Sequence, residues 1–487
     1  MAPRKAVVQL PPALEGETIT IKNDTNVPLE ITQAVEAEVA LPTDDTEPEV
    51  AAKKKKATIQ VIMDKLKRTA PKNYEFDISR TTTSVFSRVK YVLKSGIAPV
   101  DMLTGGIPFG RTTEIYGLEG CLKTGLMVHL CGAANDKQIY EVESWEKEGK
   151  FKLLEEEIEV SVLYIDNETS LEDNDRLIVR GKKVDMLMSD ADTIDMIFKQ
   201  IETVIDSLEE IEQASIKAAK EDKSKKTKVT KQFLVVVVDT IASTASAQEM
   251  EEDWGKQDYP RQAQQIKKAF RKLNRRINAR NVALICANQV GDSFAPKAMT
   301  KGNKFALPQE ADFATPGGKA LKYFASLRIF MVNANPNYKV FQASKFPDGQ
   351  VTQLYTTKNR QLKPRRTARL ALLYRSGLSD EYSILEHFIH FKMATYNAAG
   401  AIVFNFSKYG IKPELNLQDA DMSGEKYEVE VTHKQFWPEV YQANKTAFDQ
   451  LLEKARQIMY ETDTEDFVAA EGEDDDDDVL AKIHAEN

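Results

Sequence analysis

The chain contains few cysteines, histidines and tryptophans, and it lacks long apolar runs. Its 487 residues include 3 Cys, 5 His and 3 Trp. Cys121, Cys131 and Cys286 form no C-x-x-C pair, so the sequence indicates neither a disulfide framework nor a zinc site. No apolar run reaches the roughly 18–20 residues that a membrane-spanning helix needs, and the first residues lack a charged-then-apolar signal pattern. We therefore expect a soluble, intracellular protein that does not bind a membrane.

Acidic residues are concentrated at the two ends of the chain. Residues 1–50 contain ten acids against three bases, net −7, and residues 461–487 contain twelve acids against one base, net −11. Since the whole chain has a net charge of −9, residues 51–460 carry +9. A basic body between acidic ends is typical of a nucleic-acid binder whose ends compete with phosphate. Acidic ends that only improve solubility would give the same pattern.

The stretch from Glu114 to Thr124 has the pattern of a phosphate-binding loop between a strand and a helix. Such a loop needs a glycine where the strand turns, converging backbone N–H groups, a lysine for the outer phosphates and a hydroxyl for Mg²⁺. Gly117, Lys123 and Thr124 have this spacing, whereas Leu122 occupies the place of the second glycine. An ordinary strand-to-helix turn is the alternative. The predicted nucleotide-binding residues of the loop are Gly117, Leu118, Glu119, Gly120, Cys121, Leu122, Lys123 and Thr124.

The stretch before this loop resembles the corresponding part of RecA-type recombinases. It has the sequence Ser95-Gly-Ile-Ala-Pro-Val-Asp-Met-Leu-Thr-Gly-Gly-Ile-Pro-Phe-Gly-Arg-Thr-Thr-Glu-Ile-Tyr-Gly117. The segment Ala314-Thr-Pro-Gly-Gly-Lys-Ala-Leu-Lys-Tyr-Phe-Ala-Ser-Leu-Arg328 resembles the Gly-Gly motif of the same family. Bacteriophage members, the UvsX type, also carry a bulky residue in place of the second glycine, as Leu122 does here. The resemblance covers about residues 57–460.

The resemblance implies an α/β fold. We expect a RecA-type P-loop ATPase core with a mainly parallel central sheet, an N-terminal helix and a small α+β C-terminal domain. Ile59, Ile62 and Met63 belong to a helical stripe that would pack on a neighbouring subunit or on its own core. The predicted segments are an acidic, mostly disordered arm (1–56), a helix and linker for filament contacts (57–94), the ATPase core (95–366), the C-terminal domain (367–460) and an acidic tail (461–487).

Two apolar runs, 160–165 and 233–238, end in acidic residues. Continuous apolar runs indicate strands buried on both faces of a parallel sheet, and a carboxylate just past such a strand points into the ligand crevice. By the resemblance, Glu168 aligns with the glutamate that polarises the water attacking the γ-phosphate. Asp239 aligns with the acid that holds the Mg²⁺ shell, to which Thr124 also contributes. A helix-capping role is the alternative for Glu168.

A third buried strand, 282–287, leads to Gln289. In RecA-type proteins the glutamine at this place senses the γ-phosphate and starts a mobile DNA-binding loop. Residues 290–316 suit such a loop, because cations can contact phosphates and aromatic rings can contact bases. The predicted DNA-binding residues of this loop and its surroundings are Trp254, Lys256, Phe294, Lys297, Lys301, Lys304, Phe305, Gly317 and Gly318.

Further positions complete the prediction. Lys358 and Arg360 match a basic-Asn-basic triplet that, in the resembling family, reaches the ATP of a neighbouring subunit; a surface cation pair is the alternative. Cys121, near the start of the predicted helix, is expected to have a lowered thiol pKa. A helical period from Asp190 to Glu212 continues into Lys-rich residues up to 231, which form an exposed helix extension, a flexible insert or a DNA-contacting patch.

The function implied by the resemblance is ATP-dependent DNA strand exchange. ATP and Mg²⁺ are the expected cofactors, and the expected partners are single-stranded DNA, double-stranded DNA, further copies of the chain in a helical filament, and single-strand-binding and loader proteins. A phage-encoded chain would act in the host cytoplasm or at the site of phage DNA replication. The alternatives are a mediator that binds ATP and DNA without exchanging strands, a hexameric helicase or KaiC-like ring ATPase, and a DNA-coating protein that needs no nucleotide.

Overall fold

The computed structural model describes most of the chain after residue 88. The described residues are 89–145, 149–169, 171, 177–191, 193–221, 229–241, 244, 259–292, 313–314, 320–333, 339–340, 347–411, 428–431 and 434–461. No helix among them is both long enough and apolar enough to cross a bilayer. The predicted arm (1–56), most of the segment 57–94 and the tail beyond 461 lie outside the described residues.

The centre of the fold is one large, mainly parallel sheet. Its ten strands are β3 (Arg111–Gly117), β6 (Ile158–Asp166), β9 (Leu187–Ser189), β10 (Lys231–Asp239), β11 (Val282–Gln289), β14 (Leu327–Asn333), β15 (Lys339–Val340), β16 (Gly349–Asn359), β17 (Thr367–Leu373) and β18 (Gly377–Ser379). Their order is β18-β17-β16-β14-β3-β11-β10-β6-β9, with β15 beside β16. The strands from β14 to β9 in this order run parallel, and β15 to β18 add antiparallel pairs. The predicted fold class is confirmed.

Helices cover both faces of this sheet. Along β10, Val235 and Val237 belong to the hydrophobic cluster on the α2 side, whereas Leu234, Val236 and Val238 belong to the cluster on the α3 and α4 side. This alternation explains the run of four valines, because both faces of the strand are buried. The helices are α1 (Ala98–Thr104), α2 (Lys123–Asn135), α3 (Ile194–Glu221), α4 (Tyr259–Asn278), α5 (Ala320–Phe324), α6 (Asp380–His390), α7 (Trp437–Ala443) and α8 (Lys445–Glu461).

The helix expected from residue 190 onward is α3, which continues as one helix to Glu221. Its buried residues end at Leu208, and most of the later residues are exposed, so the helix extension was correctly predicted as far as Glu221. The Lys-rich residues 222–228 lie outside the described residues. Residues 139–144 and 150–153, for which no element was predicted, form two antiparallel strands of a second sheet.

The smaller sheets lie around the large one. The second sheet has the order β2-β1-β4-β5, β7 pairs with β8, and β12 pairs with β13. Their strands are β1 (Tyr91–Leu93), β2 (Ile107–Pro108), β4 (Ile139–Ser144), β5 (Lys150–Leu153), β7 (Ile178–Val179), β8 (Lys182–Lys183), β12 (Gly291–Asp292) and β13 (Phe313–Ala314).

The C-terminal part packs around a second apolar cluster, which also includes Val340, Val351 and Ala371 of the large sheet. A three-stranded antiparallel sheet packs with α6, α7 and α8 around Phe388, Phe404, Trp437 and Phe448, whose rings contact one another. Its remaining elements are β19 (Ala394–Tyr396), β20 (Ile402–Asn405), β21 (Glu428–Val431) and the 3₁₀ turns Ser407–Tyr409 and Lys434–Phe436. This is the small α+β part that the sequence predicted.

Strand β16 contains one extra residue relative to β14. Arg328 pairs with Lys358 and Ile329 pairs with Thr356, so Thr357 has no residue opposite it. This two-against-one arrangement is a β-bulge. The hydroxyl groups of Thr357 and Tyr116 lie 2.8 Å apart across the sheet.

Candidate functional site

The predicted loop connects the end of β3 to the start of α2. Gly117 is required here because a Cβ at this position would lie 2.0 Å from the backbone oxygen of Met331. Leu122 has φ 67° and ψ 22°, the left-handed conformation that glycine adopts without strain. For a leucine this conformation costs roughly 1–2 kcal/mol, and its side chain packs partly buried against the core. The loop therefore keeps the glycine geometry with a leucine side chain.

Lys123 is the first residue of α2 and its side chain folds over the loop. Its Nζ donates to the backbone oxygens of Gly117, at 3.1 Å, and Leu118, at 2.8 Å. The positive charge of Lys123 thus lies against the loop that leads into the N-terminus of α2, and a cation at a helix N-terminus is an arrangement that binds phosphate.

A hydroxyl and a carboxylate meet beside the loop. Thr124 Oγ1 donates to Asp239 Oδ2 at 2.8 Å, and Tyr164 donates its hydroxyl to the same oxygen at 2.8 Å. Burial raises the pKa of Asp239, and these two hydrogen bonds oppose the rise. Oxygen ligands of this kind fit Mg²⁺, so the two residues predicted to hold the metal are brought together. Tyr164 was missed because a tyrosine inside an apolar strand gives no signal of its contact.

Glu168 and Gln289 meet at the same edge of the sheet. Gln289 Nε2 donates to Glu168 Oε1 at 2.5 Å. Strand register brings the two side chains together, because Ile165 and Cys286 both pair with Val238 of β10. Glu168 and Gln289 each follow three residues after these level positions. Partial burial and the charge of Asp239 raise the pKa of Glu168, while the Gln289 hydrogen bond and Lys123 lower it. A carboxylate in such surroundings can accept a proton from water.

A buried ion pair contacts Asn288, the residue before Gln289. Arg328 Nε donates to Glu114 Oε2 at 2.5 Å, and Asn288, the neighbour of Gln289, donates to Glu114 Oε1 at 3.0 Å. The Arg328 guanidinium also lies 4.3 Å from the ring centre of Tyr116. Breaking such a pair leaves an uncompensated buried charge, so it fixes β3, β11 and β14 relative to each other. Sequence reasoning missed it because the partners are more than 200 residues apart.

Lys358 and Arg360 lie at the opposite edge of the sheet from the loop, where β16 ends beside the start of β14. Lys358 Nζ donates to the backbone oxygens of Lys322, at 2.8 Å, and Tyr323, at 3.1 Å, and Arg360 reaches Tyr323 at 3.4 Å. Burial, and then the charge of Arg360, lower the pKa of Lys358 to about 8. Within one chain these two cations are not brought to Lys123 or Glu168.

The expectation of a reactive Cys121 is wrong. The thiol is buried, and it donates to the backbone oxygen of Leu118 at 2.6 Å. Burial raises the thiol pKa, which outweighs the lowering effect of Lys123. The rule that helix N-termini acidify thiols holds for partly exposed cysteines, and this side chain is not one of them.

The predicted DNA-binding residues cannot be placed against this site. Trp254, Lys256, Phe294, Lys297, Lys301, Lys304, Phe305, Gly317 and Gly318 all lie outside the described residues.

One further residue that contacts the loop was missed by the sequence reasoning. Gln350, in β16, donates its Nε2 to the backbone oxygen of Gly120 at 3.1 Å. It belongs to no motif, so its spacing in the sequence gave no sign of this contact.

Comparisons with known proteins point to one family. A family model described as the RecA N-terminal domain matches residues 222–379. Protein RecA of Bacillus velezensis is 28% identical over 284 residues, which are 58% of this chain and 64% of that protein. Protein RecA of Clostridium perfringens strain 13 and of Clostridium botulinum strain Alaska E43 are 26% and 28% identical over 285 residues, 58% of this chain and 63% of each relative. The chain spans just under two thirds of the length of these relatives.

The family match covers seven of the ten strands of the large sheet. Residues 222–379 include β10, β11 and β14 to β18. They therefore contain Asp239, Gln289, Lys358 and Arg360, but not the loop or Glu168. The similarity to RecA and the mainly parallel sheet together support the predicted RecA-type core.

Proposed function

We propose that the protein binds ATP with Mg²⁺ and hydrolyses it in a DNA-dependent manner, to drive homologous pairing and strand exchange. The observation that carries this proposal is the Glu168–Gln289 hydrogen bond of 2.5 Å, next to the Thr124–Asp239 pair. It joins a general base to the residue at the start of the proposed DNA loop. Hydrolysis and DNA binding can then be coupled through one contact.

Each residue of the site has a proposed role. The loop N–H groups and Lys123 bind the phosphates, and Thr124 and Asp239 hold Mg²⁺, which would neutralise charge on the β- and γ-phosphates when bound. Glu168 accepts a proton from the attacking water. Its pKa is raised toward neutral pH, and a general base is most efficient when its pKa lies near the working pH. Gln289 orients Glu168 and responds to the γ-phosphate.

Lys358 and Arg360 are proposed to complete the site of a neighbouring copy. They lie at the sheet edge opposite their own loop, so only a second subunit could bring them to a γ-phosphate. Their charges would stabilise the phosphoryl group in the transition state. This arrangement implies a helical filament on single-stranded DNA that then pairs with duplex DNA. The bulky Leu122 in the place of the second glycine supports a further proposal, that the chain is similar to the bacteriophage, UvsX-type members.

A mediator that binds ATP and DNA without exchanging strands is the second candidate. The left-handed Leu122 favours it, because strain at the loop would weaken nucleotide turnover.

Electron microscopy and a strand-exchange assay test the proposal together. With single-stranded DNA and ATP, we expect extended helical filaments that exchange strands with homologous duplex. Closed rings would indicate a helicase instead, and filaments that form equally well without nucleotide would indicate a coating protein. Filaments without exchange would favour the mediator.

Removal of the acidic tail should strengthen duplex binding. Residues 471–487 contain eight acids against Lys482, and a chain ending at residue 470 lacks this internal competitor for phosphate-binding cations. The affinity for duplex DNA, measured across a salt series, should rise most at low salt, where screening is weakest. A full-length variant with Asn and Gln in place of these acids is the matched control and should behave like the truncated chain. Superimposable curves for all three proteins would make the tail a solubilising segment.

A further inference from the structure

We infer that Gln350 is a positioning residue for the phosphate loop, which aims the N–H of Cys121 at the β-phosphate of a bound nucleoside triphosphate. The inference rests on the proposed nucleotide binding. Its starting point is the hydrogen bond of 3.1 Å from Gln350 Nε2 to the backbone oxygen of Gly120. Gly120 is at the tip of the loop, between the strand that enters it and the helix that leaves it.

The loop tip has little support of its own. Leu118 is 36% exposed, and Glu119 and Gly120 are exposed. Gly120 has φ +72°, and apart from its two chain neighbours none of the described residues has a heavy atom within 4 Å of the place where its Cβ would be. The side-chain hydrogen bonds made inside the loop, from Lys123 and Cys121, go to the backbone oxygens of Gly117, Leu118 and Glu119. The oxygen of Gly120 receives its hydrogen bond from outside, from Gln350.

The backbone of Gln350 is a rigid base for this contact. It lies in a strand that is paired on both sides, with Lys339 of β15 and with Leu372 of β17. An edge strand or a surface loop would move with the tip, but a strand in the interior of a sheet does not. The hydrogen bond from Gln350 therefore fixes the position of the Gly120 oxygen relative to the large sheet.

Because the peptide between Gly120 and Cys121 is planar, a hydrogen bond that holds its oxygen also fixes the direction of its N–H. The C=O of Gly120 and the N–H of Cys121 belong to one trans peptide, so they point in opposite directions. When Gln350 holds the oxygen on its own side, the N–H is turned away from Gln350. Phosphate binding by such loops depends on successive N–H groups that converge on the anion. Leu122 makes the anchor more necessary, because this loop lacks the second glycine and holds a strained residue instead.

The test compares Gln350→Met with Gln353→Met. Methionine keeps the length of glutamine and removes the donor. Gln353 lies on the same strand, but its amide donates to the Thr367 hydroxyl at 3.1 Å, so it is the matched control. For Gln350→Met we expect the dissociation constants of ATP and ADP to rise about three- to tenfold, as the loss of one hydrogen bond implies. The kcat at saturating ATP, the melting temperature and competition by AMP, which has no β-phosphate, should stay as in the wild type.

Three outcomes would overturn the inference. Equal ATP affinity in Gln350→Met and the wild type would show that the contact does not position the loop. An equal loss of AMP affinity, or a lowered melting temperature, would show a merely structural role. The same affinity loss in Gln353→Met would assign the effect to the strand rather than to the contact. A wild-type chain that binds no ATP at all would instead refute the proposed function, a result visible before any variant is made.

Discussion

Glu168→Gln should remove most ATP hydrolysis while leaving the binding of ATP and single-stranded DNA intact. Glutamine keeps the size of the side chain and its contact with Gln289, but it cannot accept a proton from water. The loss of a general base typically costs roughly 10²–10⁴-fold in rate, which is the expected fall in kcat. Filaments formed with ATP should then persist, because hydrolysis no longer releases them. Steady-state hydrolysis and filament lifetime in the microscope measure the two effects.

The pH dependence of the wild type separates a base from a capping residue. Because the Glu168 pKa is raised above its ordinary value, the carboxylate is lost as the pH falls through the raised pKa. The hydrolysis rate should therefore fall on the acid side at a higher pH than an ordinary glutamate would require. Glu168→Gln should lack this limb. Glu141→Gln, an exposed change on β4, should keep the wild-type rate and profile. A Glu168→Gln protein with wild-type kcat would end the assignment.

Lys123→Ala should abolish most nucleotide affinity. Hydrogen bonds to charged groups are worth ~1.5–3 kcal/mol, so removal of the ammonium should weaken ATP binding roughly 10- to 150-fold. Direct titration with ATP gives the dissociation constant without relying on turnover.

Lys123→Arg and Lys152→Ala are the matched variants for this experiment. Arginine keeps the charge but not the compact shape, so its affinity should lie between those of the wild type and the alanine variant. Lys152 is an exposed lysine on β5, and its removal should leave ATP affinity unchanged. If Lys123→Ala binds and hydrolyses ATP as the wild type does, the loop is an ordinary strand-to-helix turn.

The parts of the site that follow a parallel strand were predictable from the sequence. The carboxyl ends of parallel strands meet at one edge, so residues that end apolar runs, such as Glu168, Asp239 and Gln289, were expected to lie together. The Glu168–Gln289 and Thr124–Asp239 contacts have this origin. Short-range spacing was sufficient because each residue is fixed by its own strand.

The contacts that depend on antiparallel pairing were not predictable in this way. Gln350 reaches the loop only because β16 adds to the sheet beyond β14 in a particular register. This residue belongs to no motif, and its sequence neighbours give no hint of the contact. The prediction of a lowered thiol pKa for Cys121 was wrong for a different reason. It applied a rule about helix N-termini without knowledge of the burial of the thiol.

Because of the bulge at Thr357, the side chains of Gln350 and Lys358, at the two ends of β16, lie on opposite faces of the sheet. Side chains alternate along a strand, so Gln350, Leu354 and Thr356 share a face, and Leu354 packs in the cluster on the α2 side. Regular alternation would place Lys358 on that face as well. The extra residue reverses the alternation, and Lys358 instead contacts the backbone of α5, on the other side. The face on which Lys358 lies therefore depends on whether the number of residues between it and Gln350 is odd or even. A chain that lacked this single threonine would turn Lys358 toward the α2 side of the sheet, the side on which Gln350 contacts the loop.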